Sequence, residues 1–251
     1  MTRASTLPMI LGPGFVAALL LILEIACRSG AISPYMVPAP SAVALTLVEL
    51  VRGGGLLSPL AHTLMLLLSG FLLACVTGIG LGVLMGLSRR AYNLFEPLVE
   101  VLRPIPKPAL LPPLMLFLGF GAEMKIVVIW LSSLFPILIN TIEGVRNTDP
   151  VLIETARTFH VGRTRRIFRI ILPAAAPMIL TGAKVGLGLA LVLAVLAEML
   201  ASSGGLGAEI IDAQRAFRLP EMYAYIVVVS IVGIAQTAIL RLLERKLAFW
   251  A

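Results

Sequence analysis

NTDPVLIETARTFHVGRTRRIFRIILPAAAP, residues 147–177, is the longest stretch of the chain too charged to sit in lipid, and it falls between two strongly apolar blocks. Asp149-Pro150 reads as a helix start: a carboxylate to cap free N–H groups, then a proline at the first helical position, where no N–H is needed. The spacing predicts a helix through Glu154 and Arg157, a break near Val161-Gly162, a second helix from Arg163 and a stop before Pro173. On the second helix Ile167, Ile170 and Ile171 share one face while Arg165, Arg166 and Arg169 line the other. With Arg146, Arg157 and Arg163, six arginines lie in or just before the stretch. The expectation is a cytoplasmic helix-turn-helix on a membrane protein. Taken alone, the same shape fits an interfacial loop held to anionic headgroups by its arginines.

The surrounding sequence is built for lipid. Of 251 residues, 59% are hydrophobic and 13% charged, and the mean hydropathy is +1.01. Soluble domains carry about 25% charged residues, so the composition excludes that class. The net charge of +7 would suit a nucleic-acid partner, but its distribution, counted below, is that of a protein bound to membrane lipid. Cys27 and Cys75 both sit in apolar runs as small hydrophobes and offer neither a disulfide framework nor metal-ligand spacing.

An all-α chain with six spans is expected, at about 7–27, 57–87, 95–119, 122–142, 174–200 and 221–243, forming one transmembrane domain over 1–251 with a charged loop at 147–173. The first run follows Arg3, is long for a signal peptide and lacks a small-residue cleavage site, so it reads as an uncleaved span. Glu24 near its far end reads as a snorkelling or helix-packing residue. After prolines at 34, 38 and 40, Ser41 is a candidate cap for a short amphipathic helix ending near Arg52. In the second span Gly70, Ala74, Gly78, Gly82 and Gly86 recur every four residues, a spacing that lets helix backbones approach closely in lipid and predicts a helix-packing or dimer face. Ser88-Arg89-Arg90 reads as a basic turn. Prolines at 104, 106, 108, 112 and 113 predict a broken third span, tolerated only where protein buries it or water reaches it. Arg103 and Lys107 in that break either border a translocation path that favours an anion or snorkel to the cytoplasmic headgroups. The fifth span carries a second small-residue stripe, Gly182, Gly186, Ala190 and Ala194, and two charges near its ends, Lys184 and Glu198, for which interfacial placement is favoured over substrate contact. An external loop over 202–220 contains Gly204-Gly205-x-Gly207 and a short helix around Glu209 to Arg218.

With both termini inside, twelve basic residues are cytoplasmic: Arg3, Arg89, Arg90, the six arginines of the loop, Arg241, Arg245 and Lys246. Five are external: Arg28, Arg52, Lys125, Arg215 and Arg218. That asymmetry places the charged loop in the cytoplasm. No phosphate-cradling Gly-x4-Gly-Lys motif occurs, and His62 and His160 are too isolated for a metal or triad site. The chain is expected not to be an enzyme, so energy has to come from a partner or an ion gradient.

Glu154-Thr155-Ala156, then Ile170-x-Leu172-Pro173, resembles the EAA loop of ABC importer permeases, whose pattern is E-A-A-x3-G-x9-I-x-L-P. Thr155 stands in place of the first alanine and His160 in place of the glycine, with Gly162 two residues later. Val37 to Ser41, Gly82 to Arg90, Leu102 to Pro106 and Ala197 to Gly204 resemble the aliphatic sulfonate, nitrate and taurine importers of that class. The resemblance implies a type I ABC importer permease fold, a homodimer of six-helix subunits, two ATPase subunits below and an external substrate-binding protein above. It implies that Glu154, Thr155, Ala156, His160, Gly162, Ile170, Leu172 and Pro173 couple the spans to the ATPase. ATP and magnesium belong on that partner, and this chain itself holds no cofactor. The expected cargo is a sulfonate-, taurine- or nitrate-like anion passing Arg103, Lys107 and Glu198. Within the same importer type, a thiamine-precursor pyrimidine or an aromatic acid is the alternative cargo. From a different class, an ion-coupled secondary transporter would use Glu24 or Glu198 as its proton-carrying carboxylate.

Overall fold

The computed structural model describes residues 7–33 and 36–247; Arg3 and Pro34 lie outside them, as do the side chains of Arg245 and Lys246. Every regular element described is helical: α1 Leu7–Arg28, α2 Pro40–Arg52, α3 Leu57–Leu87, α4 Arg89–Leu102, a 3-10 turn Lys107–Leu110, α5 Leu111–Leu118, α6 Ala122–Arg146, α7 Pro150–Thr158, α8 Arg163–Arg166, a π turn Ile167–Ile171, α9 Leu172–Ala201, α10 Leu206–Arg215 and α11 Leu219–Leu247. Among the described residues four helices are long and apolar enough to cross a membrane: Leu57–Leu87, Ala122–Arg146, Arg163–Ala201 and Leu219–Leu242. A fifth crossing arises if α4 and the stretch Lys107–Leu118, bent by 86°, form one broken span. The five prolines of that region account for the bend, since each removes an N–H from the helix ladder.

α6 is the axis of the bundle, with α3 along one side and α9 along the other. The small-residue stripe of α3 faces α6: a Cβ built on Gly70, Gly82 or Gly86 would lie 2.6 Å from a side-chain carbon of Ile129, Thr141 or Val145 respectively. The stripe of α9 does the same from the opposite side, where a Cβ on Gly182 would meet the Pro136 carbonyl at 2.6 Å and one on Gly186 the Ser133 carbonyl at 3.1 Å. Both stripes are thus packing faces within the chain. Trp130 Nε1 donates to Thr77 Oγ1 at 2.8 Å and Ser133 Oγ to the Gly186 carbonyl at 2.9 Å, one tie on each flank. Lys184 of α9 is ion-paired with Glu244 of α11.

Three boundaries differ from the sequence reading. Arg89 and Arg90 do not form a turn; they open α4, whose cap is Ser88 Oγ accepting from Ala91 N. Ser41 is not the cap of α2. Ala39 occupies that position, and the helix end is satisfied from another helix: Glu24 of α1 accepts from Ser41 N at 3.0 Å and Ser41 Oγ at 2.7 Å, and pairs with Arg28. The carboxylate supplies what a local side chain would have supplied, and it pins α1 to α2. Finally, no stop precedes Pro173. The backbone runs helical from Arg163 to Ala201, 39 residues. A π turn over Ile167–Ile171, closed by Leu172 N donating to the Ile167 carbonyl, widens the helix just before the proline. The extra width relieves the clash between a proline ring and the carbonyl one turn back, and Pro173 falls at a position whose missing N–H is not needed.

The stripe makes a paired prediction. Gly82→Ala should lower the thermal midpoint of the purified protein in detergent, a loss of about 1–3 kcal/mol from overpacking. Gly80→Ala, where an added Cβ meets nothing within 4 Å, should leave it unchanged or slightly raised. Equal effects at both sites would show that the α3–α6 contact does not limit stability.

Candidate functional site

α7 forms as its sequence dictates. Asp149 Oδ1 accepts from Val151 N at 2.8 Å and Pro150 takes the first turn. At the other end His160 N donates to the Arg157 carbonyl and Val161 N to the Ala156 carbonyl, both at 2.9 Å, the two bonds of a Schellman closure. That closure requires a left-handed residue, and His160 supplies it with φ of +51°. The position where the EAA pattern carries glycine is therefore the one where the backbone favours glycine. Gly162, read from sequence as the break, has an ordinary φ of −58° and opens α8. Histidine is one of the few side chains enriched at positive φ, which explains why the turn survives the exchange.

Of the residues implied in coupling, Ala156 is buried, Glu154, Thr155, His160 and Gly162 are exposed, and Ile170, Leu172 and Pro173 are half-buried in the rod that follows. At 100° per residue, Ile153 and Arg157 share the face of α7 turned toward the spans. Val151, Leu152, Glu154, Thr155 and Phe159 lie on its outer side, where Val151, Leu152 and Phe159 are exposed. This outer surface is apolar with one carboxylate.

The second candidate feature is a cavity of about 380 Å³ walled by the break in the third span, α6 and α9. Arg103, Lys107, Ser132, Phe135, Pro136 and Asn140 contribute to it. Arg103 and Lys107 are thus brought together, yet they differ. The Lys107 ammonium donates to the carbonyls of Leu102, Arg103 and Ile105 at 2.8, 3.2 and 2.8 Å and sits 4.5 Å from the Phe135 ring centroid. It caps the end of α4, completing the break. Ser132 Oγ and Asn140 Nδ2 donate to the α6 carbonyls of Ile129 and Pro136. The Arg103 guanidinium makes no hydrogen bond or ion pair among the described residues, so it is the donor available to a solute.

Glu198 does not line this cavity; its side chain is fully buried within the protein at the far end of α9. Thr63 Oγ1 donates to it at 2.9 Å, Gly207 N donates at 2.9 Å, and His62 Nδ1 lies 3.6 Å away. Thr63 Oγ1 accepts in turn from Leu206 N at 2.8 Å. Lys125, counted from sequence as an external charge, is also buried, and its ammonium donates to the Ser203 carbonyl at 2.8 Å. The loop between α9 and α10 folds back over this cluster. Gly204 and Gly205 take φ of +74° and +94°, and a Cβ on Gly205 would lie 2.1 Å from Glu198 Oε1. The sequence reading missed Thr63 and Lys125; a threonine and a lysine facing a buried carboxylate from two other spans leave no local pattern.

The family model described as "Binding-protein-dependent transport system inner membrane component" matches residues 78–249. A Bacillus subtilis (strain 168) permease protein assigned to aliphatic sulfonates transport is 36% identical over 93% of this chain and 85% of its own length. The taurine transport system permease protein of Escherichia coli (strain K12) is 31% identical over 94% of this chain and 88% of its own. A solved methionine ABC transporter in inward-facing conformation superposes with a TM-score of 0.65 at 19% identity, covering 74% of this chain and 92% of that one; the likeness is one of fold.

His160→Gly should raise the thermal midpoint and slow amide exchange in α7, a gain of about 1 kcal/mol from removing the left-handed strain, whereas Gly162→Ala should change neither. Glu198→Ala should cost about 1–3 kcal/mol by leaving buried donors unpaired, with Glu198→Gln, which keeps an acceptor, intermediate. Thermal unfolding of the purified variants reads all four.

Proposed function

Because the chain belongs to the binding-protein-dependent transport system inner membrane components and is the permease subunit of an ABC importer, with ATP hydrolysis on a separate subunit, we propose that α7 is the helix through which that ATPase drives it. The carrying observation is the match of the family model over residues 78–249, which includes α7 and the rod. The exposed apolar outer side of α7, with Glu154 as its only carboxylate, is suited to a groove on a partner. Counting α1 and the broken pair as crossings gives six spans, with both termini and α7 on the cytoplasmic side. Two copies of the chain stand on two ATPase subunits that carry ATP and magnesium. An external binding protein delivers the solute. ATP-driven closure of the ATPases draws the two α7 helices together, and the rods tilt with them and open the cavity outward.

The cargo we propose is a small anion of the sulfonate, taurine or nitrate kind. The relatives assigned to aliphatic sulfonates and to taurine support the class. The unpaired Arg103 guanidinium beside a cavity of about 380 Å³ supports the charge. Arginine suits an oxyanion because its planar fork meets two oxygens at once. A proton-coupled mechanism finds less support: Glu24 holds the start of α2 and Glu198 holds the loop before α10, so each has a structural duty.

Glu154→Lys or Ala156→Pro should lower binding-protein-dependent uptake in proteoliposomes by roughly 5–150-fold, the usual range of a coupling energy, while ATP hydrolysis continues. Uptake that survives both changes would remove α7 from the coupling role.

A further inference from the structure

A cavity of about 440 Å³ lies on the side of α7 away from its exposed outer surface. It is lined by the ends of α3 and α6, with Arg146, by Ile153 and Arg157 of α7, and by Arg163, Arg166 and Ile167 at the start of the rod. Four arginines therefore line a space with isoleucine, leucine and valine walls. Among the described residues none of the four pairs with a carboxylate; Arg146 lies 3.7 Å over the ring of Tyr92, which leaves its N–H edge free. The position matters as much as the charge. α3 and α6 both end here, so with these two helices as spans the cavity falls at the membrane surface and its arginines at headgroup depth.

We propose that this cavity binds the phosphate headgroup of an anionic phospholipid, with the arginines on the phosphate oxygens and the first acyl carbons against Ile153 and Ile167. Converging arginines recognise a phosphate by paired N–H···O bonds, and a cavity of this size falls in the range of small-molecule sites. A protein partner would meet the opposite side of α7, where the exposed apolar residues are. A bound lipid would wedge α7 against the ends of α3 and α6 and set the resting position of the loop. The proposal rests on the reading of α3 and α6 as spans. It does not depend on which side of the membrane the loop faces or on what is carried, so its failure leaves the importer reading intact.

The test uses the purified permease–ATPase complex in neutral detergent, titrated with phosphatidylglycerol, with phosphatidylcholine and with inorganic phosphate, and read by thermal shift and by native mass spectrometry of retained lipid. Phosphatidylglycerol should raise the midpoint and be retained, and phosphatidylcholine should do neither. Arg157→Gln with Arg163→Gln should weaken retention about fivefold per arginine. Arg165→Gln with Arg169→Gln, which removes the same charge outside the cavity, should leave it unchanged. Equal loss in the two double variants would reduce the effect to general surface charge and overturn the site. Equal protection by inorganic phosphate would overturn the lipid as its occupant. Loss of ATPase co-purification with lipid retention intact would assign the arginines to the protein partner instead.

Discussion

Close backbone contact along both sides of α6 is the constraint on which the rest depends. In lipid there is no hydrophobic gain from bringing two apolar helices together, so association relies on dispersion, on interhelical hydrogen bonds and on how near the backbones can come. One small residue per turn on α3 and on α9 makes that approach possible, and Trp130 and Ser133 add one polar tie on each flank. Once α6 is held between two helices, the ends of all three are fixed relative to one another. The buried Glu198 cluster then forms at one end and the arginine-lined cavity at the other. The cavity beside Arg103 opens where the broken third span cannot pack a continuous ridge against α6.

Features encoded by local rules were readable from the residues alone. The N-cap at Asp149, the stripes and the proline-broken span depend on spacing within a few turns, and each is found where its spacing puts it. Features that depend on a neighbour in space were not. Ser41 has the right chemistry for a cap, but a glutamate from another helix reached the N–H group first. Along the chain Lys125 counts as an external charge and Glu198 as an interfacial one, and only the fold shows that the glycine loop closes over them. Pro173 illustrates a third kind of miss. The rule that proline ends a helix holds for an α ladder, and a turn of π helix suspends it.

His160 joins the two kinds. The sequence pattern asks for glycine there and finds histidine, which shifts attention to Gly162 as the break. The backbone answers otherwise: the left-handed residue is His160, and Gly162 has a conformation open to any side chain. A motif glycine can thus be traced to a dihedral angle, and the exchange costs local strain without abolishing the turn.

The continuity of the rod bears on how a push at α7 would travel under the proposed coupling role. Thirty-nine residues at about 1.5 Å each reach roughly 58 Å, nearly twice the hydrocarbon thickness, so one helix is long enough to join the loop to the opposite membrane face. A loop between the two would absorb displacement, whereas a helix transmits it. The weak point is the π turn followed by Pro173 and, one turn later, Pro177, which lies inside α9 and removes a ladder bond. Bending concentrated there would let the charged end swing while the stripe beyond it stays packed on α6, because Gly182 and Gly186 leave no room for sliding. Under the proposed coupling role the rod would divide into a lever and a shaft, and the division would fall at the proline of the EAA-like pattern.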